Sequence, residues 1–209
     1  MKRIAILLAS LLSALSLSAQ GGGREVLNMV AERLDKMGAY RIDFELEMSS
    51  AAETSKGHCM VSGPLYLIAI DGVGGMDGMK QGFDGEKVWT YDGIAREVAY
   101  DNPNLQSRSL FDNPTKAFDF SEEHFSVVGA EDDGKGGWLI TLEPRKGVLD
   151  GIKYVVLTVD RQTSLPVRLG YDMAGAVIYI NISTIAPLEA SPADFEVRVP
   201  QEFEVIDFR

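Results

Sequence analysis

Few residues in this chain have the type and spacing to do chemistry. Of its two histidines, His58 adjoins the only cysteine, Cys59, and His124 stands far away in the chain. Successive strand residues point to opposite faces, so His58 and Cys59 cannot share a metal ion if they lie on a strand. There is no Gly-x-Ser-x-Gly nucleophile elbow. The run Gly72-Val73-Gly74-Gly75-Met76-Asp77-Gly78 resembles a phosphate loop, but Asp77 stands where the third glycine is needed and a strand pattern follows in place of a helix. Glu45 and Glu47, two apart on one strand, would lie about 7 Å from each other, within reach of a glycosidase acid pair. Arg41 and Asp43 continue the same stripe, which reads as a solvated face. Asn181-Ile182-Ser183 matches a glycosylation sequon but falls inside an alternating strand. No catalytic residue, metal ligand or cofactor is expected.

The elements that must position these residues follow from composition and pattern. The chain has 209 residues, 45% hydrophobic and 24% charged, which fits one globular domain and excludes a coiled coil or a disordered tail. Its 21 glycines lack the G-X-Y period and so mark turns between short strands. Lys2 and Arg3 precede an apolar run ending at Leu17-Ser18-Ala19, followed by Gly21-Gly22-Gly23, the form of a secretory signal peptide over residues 1–19. Cleavage after Ala19 would leave a single domain over residues 20–209, soluble in the periplasm. With Cys59 alone there is no lipidation site at the boundary and no internal disulfide. Loss of Lys2 and Arg3 takes the formal charge from −11 by two further units to −13, which repels nucleic acid.

Val26, Val30, Leu34 and Met37 recur at helical spacing, and Gly38 stops the helix. From Tyr40 to Met48 apolar and charged residues then alternate with period two, the clearest strand in the chain. Further strands are expected at residues 57–62, 65–70, 79–83, 88–91, 96–100, 124–129, 138–143, 154–160, 166–172, 176–185 and 195–199. The separators, among them Gly63-Pro64, Asp84-Gly85 and Asp92-Gly93, are short enough to join antiparallel neighbours. Residues 102–123 are too long for a hairpin loop, and Asn113-Pro114 begins a short helix over 114–120. The expected fold is mainly β: an antiparallel, incomplete, half-open β-barrel covered by the N-terminal helix and a short helical insertion.

Apolar residues at alternate positions mark out Ile42, Phe44, Leu46, Leu67, Trp89, Tyr91, Trp138, Ile140, Leu142, Leu157 and Val159. Core packing accounts for them. The functional reading is that they line a cavity for an acyl chain.

Several segments, in order, resemble the outer-membrane lipoprotein carrier (LolA-like) family. They are the helix followed by the Phe44 strand, residues 57–64 leading into Leu65-Tyr66-Leu67, Asp84-Gly85-Glu86-Lys87-Val88-Trp89-Thr90-Tyr91-Asp92, Leu157-Thr158-Val159-Asp160 with Leu165-Pro166, and Phe195-Glu196-Val197-Arg198-Val199-Pro200. The resemblance implies a monomeric periplasmic chaperone. Such a protein takes the acyl chains of lipoproteins, or lipids, from an inner-membrane donor to an outer-membrane acceptor. A sensor or interaction module of the same fold is the alternative. Where the family carries an arginine before proline to hold its lid shut, this chain has Gly63-Pro64, so closure is managed otherwise.

Overall fold

Helix α1 spans residues 22–35 in the computed structural model, which describes residues 22–49, 54–71, 78–102, 120–173 and 176–209. The helix stops at the expected glycine. Gly38 takes φ +72°, and the amides of Met37 and Gly38 turn back onto the carbonyls of Leu34 and Asp35. The leader, the insertion helix apart from Phe120, and the glycine-rich run apart from Gly78 lie outside the described residues.

Twelve strands follow: β1 (Ala39–Met48), β2 (Thr54–Ser62), β3 (Leu65–Ile70), β4 (Met79–Phe83), β5 (Val88–Asp92), β6 (Glu97–Asp101), β7 (Phe125–Asp132), β8 (Gly137–Pro144), β9 (Ile152–Asp160), β10 (Pro166–Met173), β11 (Ala176–Pro187) and β12 (Glu204–Asp207). They form one sheet in the order β12-β6-β5-β4-β3-β2-β1-β11-β10-β9-β8-β7, open and curled, not closed into a barrel. Every pairing is antiparallel except β12 with β6. The mainly β, incomplete barrel expected from the sequence is therefore the observed architecture.

Asx turns fix the tight connections. Asp84 Oδ1 accepts the amides of Glu86 and Lys87 between β4 and β5. Asp92 Oδ1 does the same for Ile94 and Ala95 before β6. Such side-chain bonds set the turn and with it the register of the strands on either side.

Among the described residues, the final expected strand is the element that fails. Residues 195–199 are not in the sheet: Pro192–Phe195 form a 3₁₀ turn and residues 197–200 are irregular. Pro192 opens the turn, and Asp194 returns its carboxylate to the Ser191 amide and hydroxyl. The alternating Phe195, Val197 and Val199 thus belong to a strap laid across the sheet, and the true last strand, β12, begins only at Glu204. Having crossed the sheet, the chain reaches its far edge running the same way as β6, hence the parallel pair.

Two apolar clusters hold the molecule, one on each face of the sheet. The larger joins α1, through Val26, Leu27 and Val30, to β1, β2 and β7–β11. The smaller lies over β3–β6 and contains Leu67, Ala69, Trp89, Tyr91, Val98 and Phe195.

Candidate functional site

Register decides which side chains share a face, because directly opposed residues of an antiparallel pair point the same way. Three rows can be followed from β1 to β5. Tyr40 opposes Val61, then Tyr66, Phe83 and Val88; Ile42 opposes Cys59, then Ile68, Gln81 and Thr90; Phe44 opposes Gly57, then Ile70, Met79 and Asp92. These rows lie on the face covered by α1, called the inner face here. A charge first appears in them at Asp92. The phenols of Tyr40 and Tyr66 and the Cys59 thiol are each pushed up to about 12, chiefly by burial, so they stay neutral at physiological pH. Row three includes a close approach. A Cβ on Gly57 would stand 2.6 Å from the Phe44 ring, so the glycine makes room for the aromatic.

Eight of the eleven expected cavity residues belong to this face. Ile42, Phe44, Ile140, Leu142, Leu157 and Val159 are at most 3% exposed. They form filled core beneath α1 and along β8 and β9. Leu46 and Trp138 are half-buried at its margin, Trp138 with the Arg161 guanidinium 4.0 Å from its ring. The other three, Leu67, Trp89 and Tyr91, occupy the opposite face. Trp89 lies over Gly82, and its indole Nε1 donates to the Phe195 carbonyl at 2.8 Å. Tyr91 stacks on Phe203 with centroids 5.0 Å apart. These three anchor the C-terminal strap and cannot share a cavity with the other eight. Sequence reasoning missed the inner-face residues Tyr40, Val61, Tyr66, Ile68, Ile70 and Phe83, half-buried on β1–β4. Leu65-Tyr66-Leu67-Ile68-Ala69-Ile70 is apolar at every position, so alternation could not tell which half of it faces in.

Among the described residues a cleft of about 390 Å³ opens on the flank of α1, between the helix and residues 120–122, lined by Arg24, Leu27, Asn28, Val30, Ala31, Leu34, Phe120, Ser121 and Glu122. Arg24 ties the two sides together. Its Nη1 and Nη2 donate to the carbonyls of Phe120 and Phe125, each at 2.9 Å, and its Nε lies 3.3 Å from the Glu122 carboxylate. With the side chain only 18% exposed, these charge-assisted bonds tie the helix to the segment entering β7.

Outside this face the chemistry-bearing residues read as polar surface. Glu45 pairs with Lys56 at 3.9 Å and Glu47 with Arg168 at 4.0 Å, both well exposed. His58 and Cys59 do point to opposite faces, since His58 opposes Asp43 and Cys59 opposes Ile42. Among the described residues no group of three or more His, Cys, Asp or Glu could hold a metal ion.

Fold and site together define a class: an incomplete barrel whose inner face is free of charge across three rows from β1 up to Asp92, with a cleft beside its covering helix. No protein-family model matches the chain, and no curated protein does. Solved structures do. An uncharacterized conserved protein from Thermus thermophilus superposes with a TM-score of 0.60 at 12% identity, over 89% of this chain and 99% of that one, which shows the shared fold. A LolA superfamily protein from Nitrosomonas europaea matches with a TM-score of 0.48 at 10% identity, over 84% of this chain and 97% of the other. A DUF1329 family protein from Desulfovibrio piger matches at 0.47 and 15%, over 83% and 96%. A protein of the LolA superfamily, the family the sequence resembles, is among these similar structures.

Proposed function

We propose that this protein binds acyl chains in the cell envelope and carries them between membranes as a soluble monomer, released from its leader near Ala19. The observation that carries the reading is the inner face: three rows across β1–β5 free of charge up to Asp92, with Val61, Tyr66, Ile68, Ile70 and Phe83 half-buried on β2–β4, beside a largely apolar cleft of about 390 Å³. That volume lies in the range of about 300–1,000 Å³ usual for small-ligand sites. A carrier must also let go. Each buried CH₂ contributes about 0.8 kcal/mol, so a long chain held in a dry, tight pocket would not be delivered. A partly exposed apolar lane serves reversible binding better than the filled core under α1. Lipoproteins are the favoured cargo through the sequence resemblance, with an inner-membrane donor and an outer-membrane acceptor as partners.

Native mass spectrometry of the protein recovered from the host envelope tests this directly. The expected result is an intact mass consistent with cleavage within two residues of Ala19, plus adducts that organic extraction identifies as acylated species. An apolar adduct bound only by a membrane-tethered complex would favour the sensor alternative. Ligand-free protein that also ignores added lipopeptide would overturn both readings.

A further inference from the structure

We propose that the phenols of Tyr40 and Tyr66 are the hydrogen-bonding grip of the inner face, taking the ester carbonyls of acyl chains joined at one glyceryl unit. The inference rests on the acyl-binding reading and names the polar end of its ligand. The two residues share a row. Tyr40 on β1 and Tyr66 on β3 both oppose Val61 of β2, so both side chains stand on the inner face with one strand between them. With strands ~4.8 Å apart, their backbones are about 10 Å from each other. The Cys59 thiol, in the next row, acts electrostatically on both phenols. Their surroundings are otherwise apolar, with Val61 between them, Ile68 in the next row, and the Phe83 ring 6.3 Å from that of Tyr66. Neither hydroxyl makes a hydrogen bond to a described residue, and each oxygen keeps contact with solvent.

A donor with no protein partner constrains what can lie over it. A hydrocarbon chain laid across the phenol strips its water and offers no acceptor, which costs free energy, whereas a carbonyl oxygen takes over the bond that water gave up. Burial pushes both phenols up to about 12, so they meet a ligand as neutral donors at physiological pH. Acyl esters satisfy both hydroxyls, because each chain carries its carbonyl at its head and a shared glyceryl unit holds two of them close together. With the carbonyls at this row, the chains extend over the second and third rows, past Ile68 and Ile70.

The test compares dihexanoylphosphatidylcholine with its di-O-hexyl ether as competitors of the fluorescent probe N-phenyl-1-naphthylamine, each below its micelle concentration. The two share head group and chain length and differ in the carbonyl oxygens. The ether is the more apolar molecule, so the readout is the ratio of the two displacement constants in each protein. Tyr40→Phe with Tyr66→Phe removes both hydroxyls and leaves the rings. Relative to wild type, the double variant should shift the ratio about ten-fold against the ester, and each single variant about three-fold. Tyr179→Phe, on the opposite face beside Glu47, should leave it unchanged. A synthetic diacylglyceryl-cysteine lipopeptide presents the same esters: displacement at lower concentration than the phosphatidylcholine assigns the grip to lipoproteins, and the reverse order assigns it to membrane phospholipid. If the double variant, folded by circular dichroism, keeps the wild-type ratio, the inference fails while acyl binding stands. Should Tyr40→Phe not fold, Tyr66→Phe alone decides at the three-fold level. If the wild-type protein binds neither ester, ether nor lipopeptide, the acyl-binding reading fails and this inference with it.

Discussion

Leu46 and Glu45 are neighbours that the pleat of β1 sends to opposite faces. Leu46 is half-buried on the inner face against Ile180, whereas Glu45 is exposed and paired with Lys56. Leu46→Glu puts a carboxylate at the margin of the apolar lane, where an unpaired charge costs a bound acyl chain several kcal/mol, about 2 or more. Glu45→Leu alters only a surface ion pair, worth about 0–1 kcal/mol. Displacement of a fluorescent fatty-acyl probe, read beside circular dichroism, should show binding lost in the first variant and kept in the second; equal binding in both would end the inner-face assignment. His58 allows a pH prediction. Burial lowers its pKa from 6.5, helped by Arg41 and Lys80 and opposed by Asp43 and Asp71. The folded chain therefore disfavours the protonated ring. The associated stability is complete above pH 6.5 and falls as pH drops through the lowered folded value. The thermal midpoint of the wild type should fall more between pH 7.5 and pH 5 than that of His58→Gln. Parallel curves would mean that His58 does not couple to folding.

At the scale of elements, the strap after β11 does what the sequence assigned to a strand. Its anchor is Phe195, fully buried, with its carbonyl taken by the Trp89 indole 106 positions earlier. Phe195→Ala should destabilise the protein by about 3–5 kcal/mol, as deletion of a buried aromatic does, and shift Trp89 emission to the red as water reaches the ring. Val199, on the same alternation but 38% exposed, should lose less than about 0.5 kcal/mol on truncation to alanine. Were residues 195–199 a sheet strand, the two truncations would cost similar amounts. Urea denaturation followed by fluorescence separates the cases. Helix α1 is held in another way, by its apolar stripe and by Arg24 across to the segment before β7. Gly63 takes φ +55° in the β2–β3 turn, and the tie from α1 to the sheet comes from Arg24, at the segment entering β7.

For the whole molecule, the sheet of the described residues ends at β12 and β7, and each end carries acids: Glu204 and Asp207, the latter paired with Arg209, on one, Glu131 and Asp132, the latter paired with Arg161, on the other. Like charges at an edge oppose pairing between copies, and the formal charge of −11 adds a general repulsion. A ligand that binds only the folded state stabilises it by about 2.7 kcal/mol at a hundred times its Kd, which is roughly 5–10 °C for a domain of this size. A synthetic triacylated lipopeptide should raise the melting midpoint by that amount, and an unmoved midpoint at saturating concentration would refute carriage of such cargo.

Much of this architecture was legible in the chain itself. Period-two alternation gave β1, short Asp-Gly and Gly-Pro separators gave the hairpins, and a 3.6-residue stripe ended by Gly38 gave α1, because these signals are local and each is enforced by the backbone of a few residues. Two faces of one sheet, however, cannot be told apart by alternation where a strand is apolar on both sides, as β3 is, so Leu67, Trp89 and Tyr91 read like Ile42 and Phe44. The strap shares this cause: Phe195-x-Val197-x-Val199 alternates equally well against a sheet or within one. Only the tertiary structure decided both. The register carried across β1–β5 and the path of a C-terminal segment 106 residues beyond Trp89 are contacts between parts of the chain that no local pattern encodes.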